Sequence, residues 1–214
     1  MSTAVGIIRE IVIATIMGQE MLNDTTKPVG YDRVAQGFHW LTAGLMLLLI
    51  MPVGIYAVWL GDGPTRSYLL DHWHKPFGLV VIVLTVLRLV WKWTHPAVPE
   101  APGLHLWERV ASRLAHWSLY ALLLAMPLSG LLMSEGAGRP TSVFGLFNLP
   151  QVLSLDPALK PRQQPAYLLG HTLHTQVFDW ILYTVIVLHV AGAIKHQFID
   201  NHRGYLRRMI GTRR

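Results

Sequence analysis

Histidine is the residue type in this sequence that is best suited to chemistry. The chain has eleven histidines and no cysteine. Without cysteine it has no disulfide, no thiolate-held iron–sulfur cluster and no covalent cofactor attachment through a C-x-x-C-H motif. Imidazole nitrogens are common metal ligands, so the histidines are the candidate ligands of this chain. Four of them, which we call the span histidines, lie at the ends of long apolar segments or within them and are the main candidates: His39, His74, His174 and His189.

Four segments are long and apolar enough to cross a bilayer, which takes about 20 residues. We place them at about 38–60, 77–93, 114–133 and 177–194. Apolar residues make up 52% of the chain and charged residues 14%, against roughly 45–50% and about 25% in soluble proteins. The predicted fold class is therefore all-α integral membrane, an up-and-down bundle of four transmembrane helices. The connection 135–170, rich in glycine and proline, is expected to be a folded lid or a mobile loop.

Lysine and arginine near the span ends predict the orientation of the chain. They are concentrated after the fourth span and between the second and third spans, so both termini are expected in the cytoplasm. These residues flank apolar runs and form no nucleic-acid-reading motif, so we assign the net charge of +6 to topology and expect no nucleic-acid partner. Residues 1–30 are expected to be an N-terminal extension, with Met21 as our preferred true start. Residues 31–214 are expected to form the membrane domain.

The four span histidines are predicted to lie in two layers. His39 and His189 lie toward the cytoplasmic side, and His74 and His174 lie toward the outer side. His189 follows His174 on the same helix, about 22 Å further along at about 1.5 Å per residue. A histidine within a membrane needs a partner. Two histidines per layer, from different helices, are the ligand set of two six-coordinate hemes, so we predict two b-type hemes with these four residues as iron ligands.

Neighbouring histidines leave the outer ligand set open. His72 precedes His74 by two residues, and His171 precedes His174 by three. Residues three apart share a helix face, so His171 can replace His174 if the fourth helix begins early. A zinc site built from His72, His74 and His171 is the rival chemistry, but it leaves the cytoplasmic pair without a role.

Three basic residues are candidate partners for the heme propionates. Lys75 lies at the outer face, and Arg88 and Lys195 lie at the inner face. Their alternative role is to set topology and to contact lipid headgroups. His116, in the third span, is interpreted as a packing residue, with a quinone or propionate site as the alternative.

These residues stand in a sequence that resembles the bacterial cytochrome b561 family from about residue 31 to residue 209. The likeness is carried by the order and spacing of five motifs: FHWL at 38–41, HKPFG at 74–78, PLSG at 127–130, LHVAGA at 188–193 and LRRM at 206–209. The resemblance implies a four-helix, di-heme protein of the bacterial inner membrane that exchanges electrons with quinone. It also implies that the four span histidines are the family's heme ligands.

The resemblance has one departure. The family usually has one residue fewer between the two histidines of the fourth helix, which here are His174 and His189. Either a π-bulge absorbs the additional residue, or His171 is the outer ligand. We favour His174 together with the bulge.

The functional hypothesis is transmembrane electron transfer through two bis-histidine hemes, with ubiquinone or menaquinone as the electron partner. The donor is expected to be superoxide, another small reductant or a periplasmic redox protein, which would make the chain an electron-transfer cytochrome or a quinone oxidoreductase. The alternative is a heme-bearing anchor subunit of a larger respiratory complex of the hydrogenase or formate dehydrogenase type. A third hypothesis, a heme-free transporter or channel, leaves the paired histidines unexplained.

Overall fold

The computed structural model describes residues 30–95, 98–99, 104–199 and 206–211. This part of the chain contains four long helices, each long and apolar enough to span a membrane: α1 Arg33–Trp59, α2 Pro64–Thr94, α3 Leu106–Gly136 and α4 Pro165–Ile199. A short helix, α5, follows at Arg207–Ile210. The predicted all-α, four-span membrane fold is confirmed. The predicted extension at residues 1–30 lies outside the described residues except for Gly30.

The helices are longer than the predicted spans. The second and fourth begin at Pro64 and Pro165, well before the apolar segments predicted to start near 77 and 177. Apolar windows end where the sequence becomes amphipathic, whereas the helices continue past that point. The connection predicted at 135–170 is correspondingly shorter and covers residues 137–164.

The helix starts follow from local sequence. Asp32 caps α1, since its side chain accepts a hydrogen bond from a backbone N–H three residues later, at 2.9 Å. The backbone N–H of His105 donates to the Glu108 carboxylate at 2.9 Å at the start of α3, as in a capping box. Pro64 and Pro165 are the first residues of α2 and α4, where the missing N–H has no helical partner to lose.

Three of the four long helices contain π-helical turns, at Met46–Ile50 in α1, Leu70–His74 in α2, and Thr172–Phe178 and Lys195–Ile199 in α4. The first two turns end two residues before Pro52 and Pro76. Proline cannot donate to the carbonyl four residues earlier, which favours hydrogen bonds that reach back five residues instead. Two of the predicted ligands, His74 and His174, lie within such turns.

The packing of the bundle is that of a membrane protein. A small set of apolar side chains is buried between the helices: Met46, Ile50, Val81, Leu122, Leu123 and Leu182. Many others face outward, including Leu48 and Trp59, which are 82% and 83% exposed. Apolar side chains at such exposure are unfavourable in water, but they suit a helix surface that contacts lipid.

Helices α3 and α4 cross closely at their ends, where two glycines face the opposite helix. A Cβ atom on Gly170 would lie 2.5 Å from the backbone nitrogen of Met133, and one on Gly136 would overlap the backbone of Tyr167. Small residues allow helix backbones to approach in this way within membranes. The crossing therefore fixes the first turns of α4 against the end of α3.

The connection between α3 and α4 is folded. Strands β1 Ser142–Val143 and β2 Phe147–Asn148 form an antiparallel hairpin, and a 3₁₀ turn follows at Pro161–Gln163. The buried side chain of Gln164 donates to the carbonyl of Asp156 at 2.8 Å and accepts from its N–H at 3.1 Å. Of the two predicted states, the structure therefore shows the folded one.

We name the two ends of the bundle by the chain segments found there. The loop side carries the connection 137–164. The tail side carries residues 206–211, which lie on the start of α1: the N–H of Tyr31 donates to Arg208 O at 3.0 Å, and the Trp40 indole donates to Met209 O at 2.7 Å.

Candidate heme-binding centre

The loop side brings together His74 of α2 and His174 of α4, which we call the loop-side pair. Their ring centroids are 5.9 Å apart, and the ring planes meet at 84°. Nδ1 of His74 lies 3.1 Å from Ile50 O of α1, and Nδ1 of His174 lies 2.8 Å from Met126 O of α3. A carbonyl oxygen can only accept, so both Nδ1 atoms carry the proton. The lone pair of each Nε2 is then free for a metal.

Each loop-side ring lies in a notch formed by a glycine of the neighbouring helix. A Cβ atom on Gly54 would lie 3.1 Å from Cε1 of His74, and one on Gly130 would lie 2.8 Å from Cε1 of His174. A larger residue at either position would push the ring away. In both cases the accepting carbonyl belongs to the residue four positions before the glycine. One turn of each neighbouring helix therefore supplies both the space for the ring and its hydrogen-bond acceptor.

The tail side brings together His39 of α1 and His189 of α4, which we call the tail-side pair. Their ring centroids are 6.3 Å apart and the planes are tilted by 60°. Nη2 of Arg88 lies 3.2 Å from Nδ1 of His39, and the ring of His116 lies edge-on to His189 at 5.1 Å. Arginine can only donate, so Nδ1 of His39 accepts in this arrangement. When Nε2 of His39 binds a metal, Nδ1 carries the proton and the guanidinium must turn away from it.

The π-helical segment Thr172–Phe178 affects the direction in which the histidine side chains project from α4. It is one of the two explanations predicted for the spacing on this helix, and His174 lies within it, with its ring toward His74. His171 lies outside the pair and packs against the ring of Tyr167 at 5.7 Å. The four predicted ligands therefore meet as two pairs, at opposite ends of the bundle.

The spacing of both pairs fits an iron held between two imidazoles. An imidazole nitrogen lies about 2.0 Å from a bound first-row metal, and its ring centroid about 1.1 Å further back, so two imidazoles on opposite sides of one iron would have centroids about 6.2 Å apart. The observed separations are 5.9 and 6.3 Å. A zinc site does not fit in the same way. No three His, Cys, Asp or Glu side chains converge on one point within the described residues, and His72 stacks on Tyr68 at 4.4 Å.

The three basic residues predicted as propionate partners have different surroundings. Nζ of Lys75 is buried beside the loop-side pair; Asp71 Oδ1 lies 2.7 Å away, an ion-pair contact without hydrogen-bond geometry. Arg88 lies beside the tail-side pair. Lys195 instead pairs with the carboxylate of Glu108 at 2.7 Å, which ties the end of α4 to the start of α3. This contact gives Lys195 a structural role.

Four contributors to the site were not predicted from the sequence. They are the two glycines that seat the loop-side rings and the two carbonyls that accept from them: Gly54, Gly130, Ile50 and Met126. A glycine within an apolar span was the available signal for the notches. The carbonyls give no signal, because every residue carries one.

Known proteins are similar in sequence to this chain over nearly the whole described region. The sequence model of the family described as prokaryotic cytochrome b561 matches residues 30–212. The chain belongs to the prokaryotic cytochrome b561 family. It is therefore a membrane cytochrome of the bacterial inner membrane, and the family implies heme b and membrane electron transfer. The sequence-based assignment to this family is confirmed.

Three curated relatives of this cytochrome b561 align over most of their lengths. Cytochrome b561 homolog 2 of Escherichia coli K12 is 32% identical over 190 residues, which is 87% of this chain and 94% of the relative. Cytochrome b561 homolog 1 of the same strain is 28% identical, over 80% of this chain and 92% of the relative. A probable superoxide oxidase, CybB, of Yersinia pestis is 25% identical, over 84% and 95%.

Proposed function

We propose that this cytochrome b561 holds two b-type hemes in series and carries electrons across the membrane in exchange with quinone. The observation that supports the proposal is the presence of two histidine pairs at opposite ends of the bundle. Each pair has the spacing of a bis-histidine iron site. Heme iron, when bound, supplies reversible one-electron chemistry. The protein provides the axial nitrogens, and the apolar helices surround them.

The proposed ligands are His39 and His189 on the tail side, and His74 and His174 on the loop side. Hydrogen bonds to carbonyl oxygens orient both loop-side rings and fix their tautomer. Lys75 and Arg88 are the proposed partners of the heme propionates, since each places a cation beside one pair.

Superoxide is the proposed electron donor, with ubiquinone or menaquinone as the acceptor. The Yersinia pestis relative is named as a probable superoxide oxidase, and this name supports superoxide as the donor. The reaction balances with two turnovers of the donor: two superoxide ions each lose one electron and become dioxygen. The two electrons and two protons convert one quinone to the quinol. Single-electron donation matches a heme carrier, which passes one electron at a time.

The proposed orientation places the tail side in the cytoplasm and the loop side in the periplasm. Basic residues are concentrated near the tail side, as the positive-inside pattern requires. The absence of native cysteine makes a direct test simple. In a Ser154→Cys variant, a membrane-impermeant thiol reagent added to intact spheroplasts should label the protein, whereas label that appears only after lysis would reverse the orientation.

Quinone exchange is tested by reoxidation of the reduced protein. The purified cytochrome is reduced with limiting dithionite and mixed anaerobically with a short-chain ubiquinone or menaquinone while the heme α-band is recorded. We expect rapid loss of the reduced band. A band that persists with both quinones contradicts the exchange, and a stoichiometric iron–sulfur or nickel protein that co-purifies from native membranes would instead identify an anchor subunit.

A matched pair of variants tests whether the loop-side histidines carry the electrons. His74→Ala should lose one heme and slow reoxidation or reduction through that side. His72→Ala is the control, because this ring lies two residues away and stacks on Tyr68. Equal effects of the two substitutions would contradict the ligand assignment.

A further inference from the structure

The two histidine pairs differ in the groups that face their rings. On the loop side, Nδ1 of His74 and Nδ1 of His174 both donate to backbone carbonyls, at 3.1 and 2.8 Å. Among the described residues, neither tail-side ring has a carbonyl acceptor. Donation from Nδ1 makes an imidazole a more basic ligand. A more basic ligand stabilises ferric iron relative to ferrous iron and so lowers the reduction potential of a heme.

The charges on the loop side act in the same direction. The ammonium group of Lys75 is offset by Asp71 at 2.7 Å. Asp179 is a half-buried acidic residue five residues after His174, directly after the π-helical segment of α4. Negative charge beside a heme disfavours the arrival of an electron.

The charges on the tail side act in the opposite direction. Arg88 Nη2 lies 3.2 Å from the His39 ring. Lys92 follows one turn later on α2, and both cations lie over the ring of Tyr120, at 5.3 and 5.0 Å. Among the described residues, neither cation has a protein carboxylate within ion-pair distance. When the guanidinium of Arg88 turns away from His39, its contact with the ring of Tyr120 keeps the positive charge near the tail-side pair.

We propose that the loop-side heme has the lower reduction potential and the tail-side heme the higher one, and that Arg88 sets much of the difference. A heme held by His74 and His174 would then give up one electron to a heme held by His39 and His189, with no bond made or broken. This inference rests on the proposed function, since it requires two hemes.

The test is an anaerobic potentiometric titration of the heme α-band in wild type and in Arg88→Gln. The wild type should show two one-electron components. In Arg88→Gln, the ratio of reduced to oxidised heme in the higher-potential component should fall at least tenfold at a fixed ambient potential. This corresponds to a decrease of about 59 mV in its midpoint potential for one electron. The lower-potential component should move by much less. Arg88→Lys should restore most of the shift, and Lys160→Gln, in the exposed connection, is the control that leaves both components in place.

Two further variants keep the proposal open to refutation if Arg88→Gln binds less heme. Lys92→Gln should lower the same component, by less, because this cation lies one turn further from the pair. Asp179→Asn should raise the lower-potential component. The proposal is overturned if Arg88→Gln or Lys92→Gln shifts the lower-potential component more than the higher one, or if neither variant moves the higher one. Failure of the proposed function is seen separately, as fewer than two hemes in the wild type before any titration.

Discussion

Replacing Gly130 by alanine should weaken binding of the proposed loop-side heme while the rest of the protein stays folded. The new Cβ atom would lie 2.8 Å from Cε1 of His174, whereas carbon atoms in contact normally lie about 3.5–4.0 Å apart. The ring must therefore move by at least about 0.7 Å. A shift of that size is enough to take Nδ1 of His174 out of hydrogen-bond range of Met126 O, from which it now lies 2.8 Å.

Overpacking and the lost hydrogen bond together cost about 1–3 kcal/mol. Since about 1.4 kcal/mol is a factor of ten in affinity, heme binding at this site should weaken roughly ten- to hundredfold. The assay is heme per chain, measured as the pyridine hemochrome of the purified protein. Gly54→Ala should have a milder effect, because its Cβ would lie 3.1 Å from the His74 ring. Gly37→Ala, with nothing within 4 Å, is the control. Full heme content and an unchanged spectrum in Gly130→Ala would refute the argument from the notch.

Three other predictions follow from the structure. His174→Ala should lose one heme, whereas His171→Ala should keep both, and the reverse outcome in their optical spectra would make His171 the ligand. Gly170→Ala should lower the thermal midpoint, at a cost of about 1–3 kcal/mol, because its Cβ meets the backbone of α3 at 2.5 Å; an unchanged midpoint would contradict the close crossing. The Arg162 guanidinium holds the pKa of the Asp62 carboxyl below its ordinary value of 3.8, so that the pair stabilises the fold above that pH and the benefit is lost as pH falls through the lowered pKa. The midpoint difference between wild type and Asp62→Asn should accordingly be small at neutral pH and vanish in acid, and a difference that grows on acidification would contradict the pairing.

The four spans could be predicted because a bilayer imposes a length and an apolar composition that are legible in sequence. Their ends could not, since the helices continue as amphipathic turns from Pro64 and Pro165, where no apolar window marks them. The connection after α3 was correctly placed, but the buried Gln164 that folds it looked like any other polar loop residue.

The pairing of His74 with His174 was predictable because depth along a helix follows from residue count. The way in which α4 accommodates the additional residue could also be predicted, and a π-helical segment is found there. The glycine notches could not be predicted from the sequence, because the contact of Gly130 with an imidazole depends on how α3 and α4 pack. The difference in charge between the two pairs depends likewise on the rotation of α2, which brings Arg88 to His39.

The number of hemes b per chain is the measurement that tests this account most directly. The wild-type cytochrome, purified with heme available during expression, is quantified by pyridine hemochrome against protein mass, and its reduced-minus-oxidised spectrum is recorded. Two hemes b per chain are predicted, one for each histidine pair. A single heme would contradict the two-layer arrangement, and a protein without a heme spectrum would contradict the account as a whole.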